Sequence, residues 1–289
     1  MENRTLLNTI EEKLIEYDNK ISPGNSVAVV NVSSAITPEQ LARGLSNLSR
    51  LGLKTTVLQG RTGPVYVGSK EERTKLLKEA SSFSMILCAS GGFGSFELLD
   101  DLPHTSAMLV GMSGNAILLH AMAKKADCYV HSNLDGLHGK TLENFERFFF
   151  KGDPQVLSSL SPAATSPIEG RIIAGQLRVI ESLIGTPFEP DWTDGILCIE
   201  EKERGAGDLL RAIQHFKHAG ILGKLKAIIL GHIDPSPDPT KISYLKSQLS
   251  VPFFQTEEFG HSVPNAVLPL GKRARIENTT LTVVETTPP

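Results

Sequence analysis

The chain has 289 residues, enough for one large or two modest domains around a substantial core. Its 40% apolar and 21% charged residues sit near globular averages, and a net charge of −3 removes any electrostatic reason to expect nucleic acid or an anionic membrane as partner. No apolar run reaches the roughly eighteen residues of a membrane-crossing helix.

Residues 1–24 read as an extra amphipathic helix, with Leu6, Ile10, Leu14 and Ile15 on one stripe. Met1–Lys20 lacks the apolar stretch and small-residue cleavage site of a secretory signal, so the expected location is the cytoplasm. From Asn25 to Phe150 short apolar runs alternate with helical patterns. Val27–Val32, Thr55–Leu58, Met85–Cys88 and Ala107–Val110 read as strands, with helices over Pro38–Leu51, Ser69–Ala80 and Ser113–Lys125. Strands without polar alternation, separated by helices, predict a doubly wound, mostly parallel α/β sheet covered on both faces. Residues 151–167, rich in Ser, Pro and Ala, read as a linker. Residues 168–289 then form a smaller α/β domain: a helix near Leu177–Leu183, strands at Ile196–Glu200, Ala227–Leu230 and Leu281–Glu285, and an amphipathic helix marked by Leu209, Ile213 and Phe216. Cys88, Cys128 and Cys198 have no metal-ligand spacing and read as buried free thiols.

Four segments could carry chemistry. Gly111-Met112-Ser113-Gly114-Asn115 stands at a strand-to-helix junction, where a serine can protrude from a tight turn beside helix N-terminal amides. Serine is also a favoured helix cap, and Asn115 breaks the G-x-S-x-G pattern. Ser90-Gly91-Gly92-Phe93-Gly94 ends another apolar strand, as a backbone donor loop or a plain turn. Glu200 and Glu201 end a third strand, where Glu201 and Glu203 read as surface acids. Gly260-His261 lies in a late loop, with His232 as the rival base. Serine at an elbow, acid on a strand and histidine in a later loop make a workable nucleophile–acid–base set.

These segments, with Asn25–Val30, Tyr66-Val67-Gly68, Ile173–Leu177, Gly185-Thr186-Pro187 and Leu268-Pro269-Leu270-Gly271, follow in order a pattern that resembles the LD-carboxypeptidases, the muramoyl-tetrapeptide carboxypeptidases and microcin-immunity peptidases. The resemblance covers nearly the whole chain after Pro23 and implies a C-terminal domain of β-barrel-like character with the active site between the domains. It implies a serine peptidase or amidase acting on a small peptide-like substrate, without metal or organic cofactor, as a homodimer. Ser113 would be the nucleophile, Glu200 the acid and His261 the base, with Gly92 and Gly114 forming the oxyanion hole. Ser90, Gly91, Asn115 and Gln176 would meet the substrate. Several positions depart from the family's pattern: Ser90 replaces an arginine, Gly114 an acid, and Gln176 an asparagine. The competing expectations are a non-catalytic ligand-binding relative and an enzyme acting on another acyl bond, such as an ester or acyl-adenylate.

Overall fold

The computed structural model describes residues 21–61, 63, 65–203 and 206–284. The helix expected over 1–24 therefore lies outside the described residues up to position 20, and Ile21–Gly24 form a non-helical turn. In chain order the first half runs β1 (Ser26–Asn31), α1 (Pro38–Arg50), β2 (Lys54–Gln59), α2 (Lys70–Ala80), β3 (Met85–Cys88), β4 (Met108–Gly111), α3 (Ala116–Met122), β5 (Cys128–Val130) and α4 (Gly139–Phe149). The second half runs β6 (Gln155–Leu157), β7 (Ile168–Gln176), α5 (Leu177–Glu181), β8 (Gly195–Lys202), α6 (Ala206–His218), β9 (Leu225–Asp234), α7 (Pro239–Ser247), β10 (Phe253–Gln255), β11 (Leu268–Pro269), β12 (Arg273–Glu277) and β13 (Thr280–Val283).

The first sheet has the order β11-β5-β4-β3-β1-β2, parallel except for β11. Its central strands are buried along their length, which is why they lack polar alternation. Helices α1 and α2 start where their sequences say they should. Thr37 with Gln40, and Ser69 with Glu72, form reciprocal capping boxes that satisfy the first free amides. The connection from β1 leads out to β2 and then back across to β3, so the strand order reverses between β1 and β3. A crevice opens beyond the carboxyl ends of strands at such a reversal. Ser33 and Ser34 follow β1 and Ser90–Phe93 follow β3, and Ser34 and the Ser90–Phe93 loop line the cavity described below.

The second sheet has the order β10-β9-β8-β7-β12-β13-β6, with β7 to β10 parallel and the remainder antiparallel. The edge strand β10 makes one isolated antiparallel bridge, from Gln255 to Ser161, four residues beyond the other edge strand β6, and the two backbones exchange two hydrogen bonds. The sheet is thus barrel-like without being a closed barrel. The chain crosses the expected domain boundary twice. Residues 155–157, inside the segment read as a linker, form β6 and pair with β13. Leu268 and Pro269 return to the first sheet and cover the free edge of β5. Residues from both sheets, including Val29, Leu109, Tyr129, Ala174, Cys198 and Ile276, share one continuous core.

Candidate active site

The chain leaves β4 extended at Met112 (φ −149°, ψ 173°) and turns abruptly at Ser113 (φ 60°) into a 3₁₀ turn that leads α3. A side chain in this left-handed region is crowded by its own backbone, so surrounding bonds must hold it. The Met112 N–H donates to Asn133 Oδ1 at 2.9 Å. Beneath the turn, Asn115 Nδ2 donates to the Ser90 carbonyl (2.8 Å) and to Asn133 Oδ1 (3.1 Å), while its Oδ1 accepts from Ser33 Oγ (3.1 Å). Asn115, expected at the substrate, is fully buried and away from the cavity wall. A buried amide needs its partners, and here they tie the ends of β1, β3, β4 and β5 together.

The glycine loop lies against this turn. A Cβ on Gly91 would stand 2.9 Å from Ser113 Cβ, and one on Gly114 would stand 1.7 Å from the Gly92 carbonyl oxygen. With the loop in this position no side chain fits at residue 114, so the absent acid there and the loop's close approach are one feature. Ser90 borders the cavity, but it is buried and its hydroxyl donates to the Ser34 carbonyl at 2.5 Å. The substrate hydrogen bond expected of that hydroxyl is replaced by one inside the protein.

The acid and base come from the second half. Glu200, buried near the end of β8, accepts a 2.8 Å hydrogen bond from His261 Nδ1. Burial is the largest single influence on the imidazole and pulls its pKa down. The hydrogen bond and charge of Glu200 together outweigh it and hold His261 above the ordinary histidine value. The His261 loop is clamped by Asn265, whose Oδ1 accepts from the Gly260 N–H (3.0 Å) and whose Nδ2 donates to the Gly260 carbonyl (3.1 Å). Asn265 is in turn fixed to α4, its N–H donating to Thr141 Oγ1 (3.1 Å) and its carbonyl accepting from Asn144 Nδ2 (2.9 Å). His232, the rival base, lies outside this cavity and pairs with Glu257.

Glu201 is not the surface acid its place in the chain suggested. It is 3% exposed and accepts from Gln176 Nε2 (2.6 Å), the Arg178 N–H (3.2 Å), Arg178 Nε (3.3 Å) and its neighbour's Lys202 N–H (2.9 Å). Strand alternation does send it away from Glu200, but its side of the strand is covered by the β7–α5 junction.

One cavity of about 1000 Å³ is lined by Ser113, His261, Gly92, Asp135, Gln176 and Arg178, among others. Among the described residues no hydrogen bond joins Ser113 Oγ to the His261 ring. Phe93 stands at the cavity wall, 72% exposed. Asp135 is held above the usual carboxylate range by burial. The thiols are unsuited to nucleophilic attack: all three are buried, and burial pushes Cys88 up to about 12 and Cys128 and Cys198 upward as well. His120 and His131 are depressed to about 4 by burial and stay neutral, each ring bonded to a backbone carbonyl.

Asn133, Asn265 and Asp135 have no role assigned from sequence. Asn133 and Asp135 follow the carboxyl end of β5, the position at which a parallel sheet offers its ligand side, and that signal was available. For Asn265 there was no local signal, because its partners on α4, Thr141 and Asn144, are 124 and 121 residues away.

Fold and crevice together define a two-domain α/β protein with a strained serine elbow and a histidine–carboxylate pair in one cavity. Residues 27–132 match the LD-carboxypeptidase N-terminal domain and residues 169–276 the LD-carboxypeptidase C-terminal domain. The chain belongs to the LD-carboxypeptidase family, a family of serine peptidases. A Bacillus subtilis protein named "Probable murein peptide carboxypeptidase" is 23% identical over 91% of this chain and 92% of its own. The crystal structure of muramoyltetrapeptide carboxypeptidase from Oxalobacter formigenes shares the fold, with TM-score 0.79 at 23% identity over 90% of this chain and 99% of that one. So does the microcin C7 self-immunity protein MccF in complex with glutamyl sulfamoyl guanosine, with TM-score 0.83 at 19% identity over 94% and 99%. Among the described residues no helix is long and apolar enough to cross a membrane.

Proposed function

We propose that this protein is a serine peptidase or amidase that hydrolyses an amide bond in a small peptide-like substrate, with Ser113 as nucleophile, His261 as base and Glu200 as orienting acid. The observation that carries this reading is that the elbow serine and the Glu200-bonded imidazole line the same cavity. Because Nδ1–H is committed to Glu200, the other ring nitrogen, Nε2, is the one available to take a proton. Ser113 Oγ attacks the scissile carbonyl and passes its proton to His261 Nε2. The imidazolium so formed is stabilised by Glu200 and then protonates the leaving amine; water repeats the sequence on the acyl-enzyme. The negative oxygen of each tetrahedral intermediate needs backbone donors. Gly92 supports that role: among the described residues its N–H has no acceptor in the protein, and Gly114 follows the nucleophile.

Two relatives support the proposed substrate class. One is named for a murein peptide and another was solved with a glutamyl group on a sulfamoyl nucleoside; both ligands offer an aminoacyl carbonyl. Family likeness also supports a cytoplasmic homodimer that works without metal or organic cofactor, with its division near 25–150 and 168–289 in keeping with the matched segments 27–132 and 169–276.

The test is covalent labelling with a fluorophosphonate, followed by incubation with peptides ending in an L–D amide. The expected result is one label on Ser113, abolished in Ser113→Ala, and release of the terminal D-amino acid. An unlabelled Ser113 would leave a ligand-binding relative that lacks turnover; labelling without peptide cleavage would move the substrate to another acyl bond.

A further inference from the structure

The mechanism leaves Glu201 without a task, yet its carboxylate, which is not itself among the cavity-lining groups, holds two that are, Gln176 and Arg178. Four N–H donors converge on this buried carboxylate, two of them from Arg178. Burying a carboxylate is costly unless its bonds are complete, and these are. The consequence falls on Arg178. Its Nε is committed to Glu201 at 3.3 Å, and among the described residues its two terminal nitrogens have no acceptor. What remains is the end-on fork of the guanidinium, two parallel donors held by a rigid anchor.

The fold puts Arg178 and the nucleophile on one cavity. Helix α5 starts directly after β7, and its Val179 packs with Leu183 against Ala116 and Ile117 of α3, the helix that Ser113 leads. Arg178, one residue earlier, lines the same cavity as Ser113 and His261, with 35% of its side chain exposed. The other lining cations lack a free fork on a buried anchor. Arg43 donates to the Asp135 carbonyl, Lys140 pairs with Glu143 on open surface, and Lys202 stands 3.9 Å from Glu203. Ser90 has already spent its hydroxyl proton on Ser34.

We propose that Arg178, positioned by Glu201, binds a carboxylate of the substrate and so selects peptides bearing a free acid near the scissile bond. A planar, two-oxygen acceptor matches an end-on fork in a way that a single carbonyl does not. The proposal rests on the peptidase reading.

The experiment uses binding rather than turnover, so that it fails separately from the peptidase reading. Titration calorimetry on the Ser113→Ala protein compares acetyl-L-lysyl-D-alanine with its C-terminal amide. The same pair is then measured on Ser113→Ala/Arg178→Gln and Ser113→Ala/Arg178→Lys. Loss of a charge-assisted, bidentate contact weakens binding by about tenfold or more. The expected result is a preference of at least that size for the free acid, reduced to within twofold by Arg178→Gln and only partly restored by Arg178→Lys. No preference for the acid, including no measurable binding of either peptide, overturns the proposal; so does a preference that survives Arg178→Gln. Fluorophosphonate labelling of Ser113 in the unaltered protein reads the peptidase assignment independently.

Discussion

Ser113 occupies a conformation (φ 60°) that a residue with a Cβ enters only at a cost. Strain of this kind is expected where a side chain must stand clear of its strand and face a ligand. Ser113→Ala keeps the strain and removes the nucleophile, so kcat should fall by a factor on the order of 10⁴ or more with little change in melting temperature. Ser113→Gly removes both, and should be as inactive yet more stable by up to about 1 kcal/mol, since glycine enters this region freely. A glycine variant that melts at or below the alanine variant would show that the turn is not strained. The second prediction concerns pH. His261 must be neutral to accept a proton, so kcat/KM should rise with pH through its pKa, which lies above the ordinary value of 6.5. In Glu200→Gln the main raising partner is gone and burial prevails, so the limb should move to lower pH while kcat falls. Glu201→Gln should shift it far less, because Glu201 reaches His261 only as a weak charge. An unmoved limb in Glu200→Gln would dismiss the orienting role. The same raised pKa bears on stability: the pair's contribution is complete below the unfolded pKa and is lost as pH rises through the folded one.

At the scale of elements, the segment 259–267 has no regular secondary structure and yet must place an imidazole to within a fraction of an ångström. Asn265 supplies the missing order by exchanging two hydrogen bonds with Gly260, directly before His261, and by anchoring both to Thr141 and Asn144 on α4. Asn265→Ala should cost about 1–3 kcal/mol, because buried groups of Gly260 lose their partners. It should also lower kcat far more than it raises KM. Asn265→Asp, which still accepts from the Gly260 N–H, should recover part of kcat. If both variants alter stability alone, with kcat unchanged in the folded fraction measured by active-site titration, Asn265 has no part in placing the base. The glycine loop follows the same logic from the other side, its approach to Ser113 being possible only because residues 91 and 114 lack side chains.

At the scale of the molecule, the second half has a cluster of its own around Trp192, Ile213 and Phe216, but the largest core is shared by both halves. β11 seals the free edge of β5, and Asn144, from the first half, bonds the Asn265 carbonyl in the second. The main core takes residues from both sheets. Thermal unfolding should therefore show one cooperative transition, and a fragment of residues 21–150 should bind a hydrophobic dye and lack such a transition. Two resolved transitions by calorimetry, or a cooperatively folding fragment, would refute the shared core.

Much of this was determined locally. Capping boxes at Thr37 and Ser69, unbroken apolar strands such as Met85–Cys88, and a serine between glycines after β4 depend on neighbours within a few residues, so their patterns could be read along the chain. The order of serine, acid and histidine was legible for the same reason, through its resemblance to one family. Only the tertiary structure decided that Asn115 lies beneath the turn rather than at the substrate, that Ser90 is already bonded, that Glu201 is buried and aims Arg178, and that residues 155–157 belong to a sheet. Each of these turns on burial and on hydrogen-bond partners brought from distant strands. A residue type does not encode which distant carbonyl or amide will meet it; the packing of the two sheets does.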